Sequence, residues 1–416
     1  MLRYLGLLST IALVSACADD EPAGDDEVGS EDTDDTDDEV GPTDGEDSSS
    51  DGSTSDTGTD DTDDTDDTDT TDTTDDTDTT DTDEPGDPLP SAPVGEWLYI
   101  ELEGMMCRDG SPAGLAVRYA DADAKLGIYF EGGGACFNSL TCLANPSSVA
   151  PGKFEPGPFG GIFDNENPDN PMMDYNFIYM PYCTGDVFFG TNPNGNVPGG
   201  PQNQKFVGHE NTIIALERIV DTFPNATQVV ALGQSGGGFG AASNYDTIAS
   251  YFAGKNVTLV DDSGPIFTDQ YLAPCLQQTF RDVWGIDASL PQDCSACFGP
   301  NGGGLSNYLL YIHDKYPNAI KTLISSEADA TISGFYGFGN NNCSALFPSF
   351  PQFEEALYNL RDNVLTTEDW GSFILNGNSH TYLDRDNTLY GTQAGGVVLD
   401  EWLTDVLDGV AYHVSP

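Results

Sequence analysis

Positive charge is scarce in this sequence. Only 13 of the 416 residues are Lys or Arg, against 70 Asp or Glu, and the formal net charge is −57. Residues 91–416 hold 12 of the basic residues and 37 acidic ones, a net charge of −25. Proteins bind nucleic acids largely through Lys and Arg contacts to phosphates. The composition therefore excludes nucleic acid as an expected partner.

Large apolar side chains are missing from the Asp/Thr repeats between residues 18 and 90, a segment with 33 acidic residues and no basic ones. Without apolar surface to bury, nothing offsets the entropy lost on ordering, and the like charges repel one another. We expect a disordered acidic stalk. Calcium binding is the alternative, but the repeats lack the glycine turn and the closing Glu of a cation-binding loop.

The apolar run near the N-terminus is too short to span a membrane. It covers residues 4–16, follows Arg3 and ends in small residues, which is typical of an export signal. Its end, "VSAC", resembles the lipobox of bacterial lipoproteins, in which Cys17 carries the lipid. Ala18 in place of Asp resembles proteins sorted to the outer membrane. We expect a lipid anchor at the bacterial cell envelope, with ordinary signal cleavage nearby as the alternative.

The remaining cysteines lack the companions of a metal site. Eight of them follow Cys17, an even number that predicts four disulfides in an exported chain. The single C-x-x-C motif, from Cys294 to Cys297, has no second such motif and no nearby His. Zinc and redox chemistry are therefore disfavoured. We expect structural bridges, no metal and no cofactor.

Strand-like apolar runs alternate with helix-compatible segments. The helix-compatible segments are 209–223, 239–252 and 397–407, and the strand-like runs are 96–102, 113–119, 125–131, 176–182, 228–234, 256–262, 320–326 and 372–377. This alternation predicts an α/β fold with a mostly parallel central sheet and helices on both faces.

Residues 265–320 interrupt the alternation with turn residues and three cysteines, and we expect a loop-rich insertion that bears active-site loops. The predicted organisation is a signal peptide (1–17), a stalk (18–90) and a catalytic domain (91–416).

The run at 228–234 leads into a serine between glycines. Residues 233–237, "GQSGG", fit G-x-S-x-G, in which a serine is held on a sharp strand-to-helix turn with its oxygen exposed. The Gly236 amide and the positive end of the following helix dipole then favour negative charge beside Ser235. The pattern predicts that Ser235 is a nucleophile.

The same glycines also fit a dinucleotide-binding fingerprint. Gly236, Gly238 and Ala241 have the G-x-G-x-x-A spacing, and Asp261 and Asp262 end the next strand-like run. Export argues against this alternative, because reduced nicotinamide is scarce outside the cell. The fingerprint also starts late, because Gly233 and Gln234 already intervene after the apolar residues 229–232.

A serine nucleophile needs a histidine base. Of the four histidines, His209 precedes the serine, His313 lies in the insertion and His413 is close to the C-terminus. His380 directly follows the last strand-like run, where an α/β-hydrolase keeps its base. His380 is therefore the preferred base.

The base needs an acid, and the oxyanion needs a second amide. Asp329, on the loop after the penultimate strand, is the preferred acid, with Glu327 second and Asp262 third. The Gly132–Gly134 triplet follows an apolar strand directly, as do the glycine loops of esterases.

In this order, several motifs resemble the pectin acetylesterase and Notum family of serine carboxylesterases. They span nearly all of residues 95–400 and read "CRDGSPAGLAVRY", "YFEGGGACFN", "NFIYMPYCTGDVFFGT", "ALGQSGGGFGAAS", "SSEADAT" and "NGNSH". The resemblance implies an α/β-hydrolase fold without a metal. It also implies specific roles: nucleophile Ser235, acid Asp329, base His380, and oxyanion donors Gly133, Gly134 and Gly236.

The resemblance further implies two disulfides, Cys136–Cys142 and Cys107–Cys183, and leaves the pairing of Cys275, Cys294, Cys297 and Cys343 open. Asp186 lies in a stretch similar to a family segment beside the active site. It is either a turn carboxylate or a substrate contact.

The family resemblance does not identify the substrate. Its members carry a tryptophan at or near the end of the glycine loop, where this chain has Gly134 and Ala135. Plant relatives deacetylate pectin, whereas animal Notum removes a fatty acyl group from Wnt proteins. We expect ester hydrolysis through an acyl-enzyme, with an acetyl ester on an extracellular polysaccharide preferred. A lipid or long-acyl ester is second, and a non-catalytic surface-binding lipoprotein is a further alternative.

Overall fold

The computed structural model describes residues 86–416, except residues 123, 151, 156 and 346–348. The predicted signal peptide, Cys17 and most of the predicted stalk lie outside these residues. Within them, each of the strand-like runs becomes a strand. Among the described residues, no helix is both long and apolar enough to cross a membrane.

The described strands are β1 (Trp97–Met106), β2 (Pro112–Arg118), β3 (Lys125–Phe130), β4 (Asn176–Met180), β5 (Asn192–Gly195), β6 (Gln204–Phe206), β7 (Gln228–Gln234), β8 (Asn256–Asp262), β9 (Lys321–Ser326), β10 (Trp370–Leu375), β11 (Gln393–Ala394), β12 (Val397–Val398) and β13 (His413–Val414).

The described helices are α1 (Gly208–Thr222), α2 (Gly236–Ser243), α3 (Tyr245–Tyr251), α4 (Pro274–Trp284), α5 (Asn307–Lys315), α6 (Ala330–Tyr336), α7 (Asn340–Cys343), α8 (Phe353–Asn363), α9 (Asp386–Leu389) and α10 (Leu399–Leu407).

One large sheet has the strand order β1-β2-β4-β3-β7-β8-β9-β10-β13 within the described residues. β2 pairs antiparallel with β1 and β4, and the pairs from β4 to β13 are parallel. The predicted mostly parallel α/β fold is therefore confirmed. Because the carboxyl ends of parallel strands share one edge, the loops after β3, β7, β9 and β10 meet there.

Successive side chains of a strand point to opposite faces of the sheet, and each face carries its own apolar core. In β7, Val229 and Ala231 pack with α1, whereas Val230 and Leu232 pack with the cluster that contains Trp402 of α10. A parallel strand buried on both faces is continuously apolar, which explains the unbroken run that precedes Ser235.

The segment predicted as one helix after Ser235 is two helices. Asn244 separates α2 from α3, and its Nδ2 donates to Gly240 O at 2.9 Å and to Phe188 O at 2.8 Å. A short amide side chain that bonds local backbone carbonyls competes with helix continuation. The helical spacing of the apolar residues did not reveal this break.

Leu89 contacts the domain, although it lies just before the boundary at residue 90 that the sequence predicts. Leu89 is 5% exposed and packs with the core, and its N–H donates to Thr222 Oγ1 at 2.8 Å. Arg218 of α1 also donates to Asp87 O and to Pro88 O, so hydrogen bonds and the Leu89 side chain together hold this segment against α1. Contacts with the domain therefore include residues before the expected boundary.

Four disulfides join the described cysteines. Their pairs are Cys107–Cys183, Cys136–Cys142, Cys275–Cys343 and Cys294–Cys297. The first ties the end of β1 to the end of β4. The third ties α4 of the insertion to α7, and the fourth closes the C-x-x-C motif on itself.

We expect the Cys107–Cys183 bridge to contribute far more stability than Cys294–Cys297. The two loops span 76 and 3 residues of sequence, and a longer cross-link removes more entropy from the unfolded chain. Replacing Cys107 and Cys183 by Ala should lower the free energy of unfolding by about 4 kcal/mol.

Denaturant unfolding monitored by fluorescence measures this loss, and the Cys294→Ala/Cys297→Ala variant is the matched control. Equal losses in the two variants would contradict the expectation.

Candidate active site

Ser235 occupies a strained turn between β7 and α2. Its φ and ψ are 55° and −123°, which is unfavourable for a residue with a Cβ atom. Its N–H donates to Asp262 O at 2.7 Å. The side chain lines a pocket directly before the N-terminus of α2, so the helix dipole favours negative charge beside its oxygen.

Asp329 and His380 are in direct contact. His380 Nδ1 lies 2.7 Å from Asp329 Oδ2, and the Asp329 side chain is fully buried. A carboxylate only accepts hydrogen bonds, so Nδ1 carries the proton and Nε2 is left as an acceptor. The other Asp329 oxygen accepts from Thr331 N and Ile332 N, both at 2.9 Å, and caps α6.

Nε2 of His380 is buried and has no hydrogen-bond partner among the described residues. Consequently, no hydrogen bond joins it to the Ser235 hydroxyl. The two loops are nevertheless tied together, because Ser235 N and Tyr382 N both donate to Asp262. The structure thus brings His380 and Asp329 into contact and leaves the imidazole acceptor available.

The other histidines lie in separate environments. His209 Nδ1 bonds Asn244 Oδ1 at 2.7 Å, His313 Nδ1 lies 2.7 Å from Asp369 Oδ1, and His413 Nδ1 bonds Ser372 Oγ at 2.9 Å.

The two alternative acids also contact other groups. Glu327 accepts from the Tyr358 hydroxyl at 2.5 Å. Asp262 Oδ2 accepts from Tyr382 N at 2.7 Å and Leu383 N at 3.0 Å. Asp262 is fully buried and Asp261 is 5% exposed. Neither carboxylate is open to the ribose that the dinucleotide alternative requires.

The glycine loop lies against the serine turn. A Cβ on Gly236 would sit 2.9 Å from Gly134 O, and one on Gly132 would sit 3.1 Å from Ser235 Cβ. Only residues without a Cβ allow this approach. Neither the Gly133 N–H nor the Gly134 N–H has a partner in the described part of the chain, so both remain able to bind an oxyanion.

Side chains that were not predicted from the sequence support this loop by donating to its carbonyl oxygens. Asn145 Nδ2 donates to Gly133 O at 2.7 Å, and the Tyr182 hydroxyl donates to Gly134 O at 2.9 Å. Glu131 accepts from Tyr182 N at 2.8 Å and pairs with Lys153. The available signal was the position of Tyr182 next to Cys183, in one of the motifs that carry the family resemblance.

Asp186 is a turn carboxylate and does not line the pocket. It is fully buried, and its oxygens accept from Thr184 Oγ1 at 2.6 Å, Phe188 N at 3.1 Å and Gly208 N at 2.8 Å. Burial raises its pKa, although these hydrogen bonds lower it in part. Its hydrogen bonds and burial leave no free face, so the substrate-contact alternative is not supported.

An apolar pocket opens beside Ser235. Its empty volume is about 840 Å³, including space open to solvent. The insertion supplies much of its wall, including Leu276, Phe280, Trp284 and Leu305. The small residues at Gly134 and Ala135 do not leave that wall open, because the Phe335 ring would lie 3.2 Å from a Cβ on Gly134.

This chain is similar to known proteins in sequence and in fold. The family model for pectinacetylesterase matches residues 98–311. The palmitoleoyl-protein carboxylesterase NOTUM of Drosophila melanogaster is 25% identical over 216 residues, covering 46% of this chain and 31% of its own length. For notum1' of Xenopus laevis the identity is 26% over 261 residues, with 56% of this chain and 52% of the relative covered. The chain thus matches between about a third and about half of the length of these curated relatives.

The solved structure of the Wnt deacylase Notum from Drosophila superposes with a TM-score of 0.58. It is 19% identical, and the match covers 77% of this chain and 96% of that one. At this identity the likeness concerns the fold, which is the α/β-hydrolase fold predicted above. The family model covers more than half of the present chain, which therefore belongs to the pectinacetylesterase family.

Proposed function

We propose that this chain is a serine carboxylesterase in which Ser235 is the nucleophile, His380 the base and Asp329 the acid. The observation that carries the proposal is the 2.7 Å contact between His380 Nδ1 and Asp329, at the sheet edge where the strained Ser235 turn lies. Family membership supports the ester bond as the target.

The proposed reaction has two steps. His380 Nε2 accepts the Ser235 proton as the hydroxyl oxygen attacks the ester carbonyl, and the leaving alcohol takes that proton from His380. Water then attacks the acyl-enzyme with His380 again as base, which releases the acid and restores Ser235. The buried Asp329 carboxylate stabilises the imidazolium that forms in each step.

The oxyanion formed in each step is assigned to backbone amides. Gly236 at the start of α2 and Gly133 and Gly134 on the glycine loop are the candidate donors. Such donors are held in place before the reaction begins, and losing one typically costs about 3 kcal/mol of transition-state stabilisation.

The pocket favours an acyl chain longer than acetyl. Apart from Ser235, Ser243 and tyrosines, its walls are aliphatic and aromatic side chains and backbone at glycine. Each buried methylene contributes about 0.8 kcal/mol of transfer free energy, and an acetyl group offers only one methyl. The pocket thus supports the long-acyl alternative over the acetyl ester that the sequence favoured.

The alcohol part of the proposed substrate is uncharged. The net charge of −25 over residues 91–416 disfavours a polyanion by long-range repulsion. A neutral acylated carbohydrate or a lipid is compatible with that field, whereas a de-esterified acidic polysaccharide is not.

We also propose that the enzyme is exported and anchored at the cell envelope through a lipid on Cys17. The lipobox-like sequence supports the anchor. The disulfides support an oxidising compartment.

Replacing Ser235 by Ala should abolish nearly all hydrolysis of nitrophenyl esters, because the proposed acyl-enzyme forms on the Ser235 oxygen. The change keeps the Cβ atom and therefore the turn. The release of nitrophenol measures activity, and mass spectrometry after treatment with a fluorophosphonate identifies the labelled residue. We expect the label on Ser235.

The wild-type melting temperature is the control for folding of the variant. Wild-type turnover in Ser235→Ala would refute the mechanism. Failure of the folded wild-type protein both to hydrolyse esters and to take up the label would instead favour the non-catalytic surface-binding lipoprotein.

Acyl preference should follow the pocket. We expect wild-type kcat/KM to be at least about tenfold higher for nitrophenyl octanoate than for nitrophenyl acetate, because several buried methylenes contribute to binding in the transition state. Replacing Leu305, which lines the pocket, by Phe should reduce this preference.

Leu309→Phe is the matched control, since Leu309 is a buried leucine of the same region that does not line the pocket. An acetate preference in the wild type would support the shorter acyl group. Equal effects of the two variants would contradict the assignment of Leu305 to the acyl site.

A further inference from the structure

The loop that carries His380 must cross the sheet edge to reach Ser235. The strand order around the site is β7-β8-β9-β10. Ser235 follows β7, and His380 follows β10, with two strands between them. Asp262 is the last residue of β8, in the gap that the His380 loop must cross, and it is fully buried.

Asp262 bonds the backbone of Ser235 and the backbone that follows His380, and it does so through different atoms. Its backbone oxygen accepts from Ser235 N at 2.7 Å. Its Oδ2 accepts from Tyr382 N at 2.7 Å and from Leu383 N at 3.0 Å, two and three residues after His380. One residue therefore fixes the backbone of the nucleophile and the backbone that follows the base.

Three strained residues surround these bonds. Ser235, Ser263 and Thr381 have φ values of 55°, 67° and 64°, although none is glycine. Ser263 Oγ bonds Asp262 Oδ1 at 3.0 Å, and Thr381 N donates to Ser263 Oγ at 3.4 Å. Such conformations persist only where the surroundings impose them. Here Asp262 bonds Ser235 and Ser263 directly, and Ser263 in turn bonds Thr381.

We propose that Asp262 is a positioning residue that sets the His380 loop relative to Ser235. This inference rests on the proposed function, because it assumes that the two side chains must meet. Asp262 does not touch the His380 ring, which is held by Asp329. It fixes instead the backbone from which the ring projects.

The chemistry of the carboxylate suits this role. A carboxylate oxygen has two lone pairs, so Oδ2 can accept from two consecutive amides while Oδ1 accepts from Ser263. Burial raises the pKa of Asp262 to about 7, and the Tyr382 and Leu383 amides oppose that rise. A buried carboxylate is costly, and these three acceptor contacts account for its presence.

Asp261 offers a matched control. It is also a buried aspartate at the end of β8, and its Oδ1 accepts from Gly264 N at 2.8 Å. Within the described residues its carboxylate has no hydrogen bond to Ser235 or to the His380 loop, although its Oδ1 lies beside Gly238 of α2. Removing its carboxylate therefore tests for the general cost of losing a buried acid at this place.

The first measurement does not depend on turnover. In protein labelled with ¹⁵N-histidine, the Nδ1 proton of His380 should give a resolved downfield resonance, which the His380→Gln variant identifies by its loss. We expect Asp262→Ala to broaden or abolish this resonance, because the loop no longer has a fixed position. Asp261→Ala should retain it.

The second measurement is kinetic. Misplacement of a reacting group by about 1 Å typically costs about 100-fold in rate. We expect kcat of Asp262→Ala to fall about 100-fold with KM changed less than about threefold, since ground-state binding in the apolar pocket persists. Asp262→Asn, which keeps one acceptor oxygen, should recover part of the loss, and Asp261→Ala should stay within about threefold of wild type.

A retained His380 resonance in Asp262→Ala, with kcat equal to that of Asp261→Ala, would overturn the proposal. If Asp262→Ala does not fold, Asp262→Asn is compared with Asp261→Asn by the His380 resonance and by kcat, and the same outcomes support or overturn the proposal. A wild-type protein without esterase activity would end the proposed function, but the resonance would still test the positioning role.

Discussion

The buried hydrogen bond between Asp329 and His380 is the contact on which the rest of the site depends. One Asp329 oxygen fixes the imidazole, and the other caps α6 through Thr331 N and Ile332 N. The same helix supplies Ile332 and Phe335 to the apolar pocket. A single carboxylate thus couples the orientation of the His380 ring to one wall of the apolar pocket. A shift of α6 would move both together.

The glycine loop is fixed by groups from distant parts of the chain. Asn145 and Tyr182 occupy its carbonyl oxygens, which leaves the opposite N–H groups for an oxyanion. Trp284 of the insertion donates to Cys136 O at 2.8 Å, just beyond the loop. Because these bonds exist before substrate binds, little reorganisation is needed when charge develops on the substrate. The insertion therefore shapes the apolar pocket and also supports the glycine loop.

Local sequence patterns were sufficient to predict the strands and the serine turn. They were not sufficient to predict which side chains from different elements contact one another. The turn at Ser235 could be predicted because glycines flank it and a doubly buried strand precedes it, and chain order selected His380. Asp262 is the last residue of β8, and Asp329 lies three residues after the end of β9. Both carboxylates are therefore at the same edge of the sheet, and spacing alone could not decide which one meets the imidazole. The roles of Asn145, Tyr182 and Phe335 depend on side chains that cross from other elements, and no periodicity records such crossings. Leu89 was missed because a single apolar residue in an acidic segment gives no periodic signal.

Charge and apolar surface are separated in this protein, and that separation constrains its substrate. The excess of acidic residues creates a field that repels polyanions, whereas no charged side chain is among those that line the pocket. An acyl chain entering the pocket gains from desolvation without meeting a buried charge. The alcohol part of such an ester would stay outside the pocket, where it is exposed to the electrostatic field of the acidic residues. The fatty part of a substrate would then determine binding in the pocket, and the charge of its carrier would determine how readily the ester approaches Ser235.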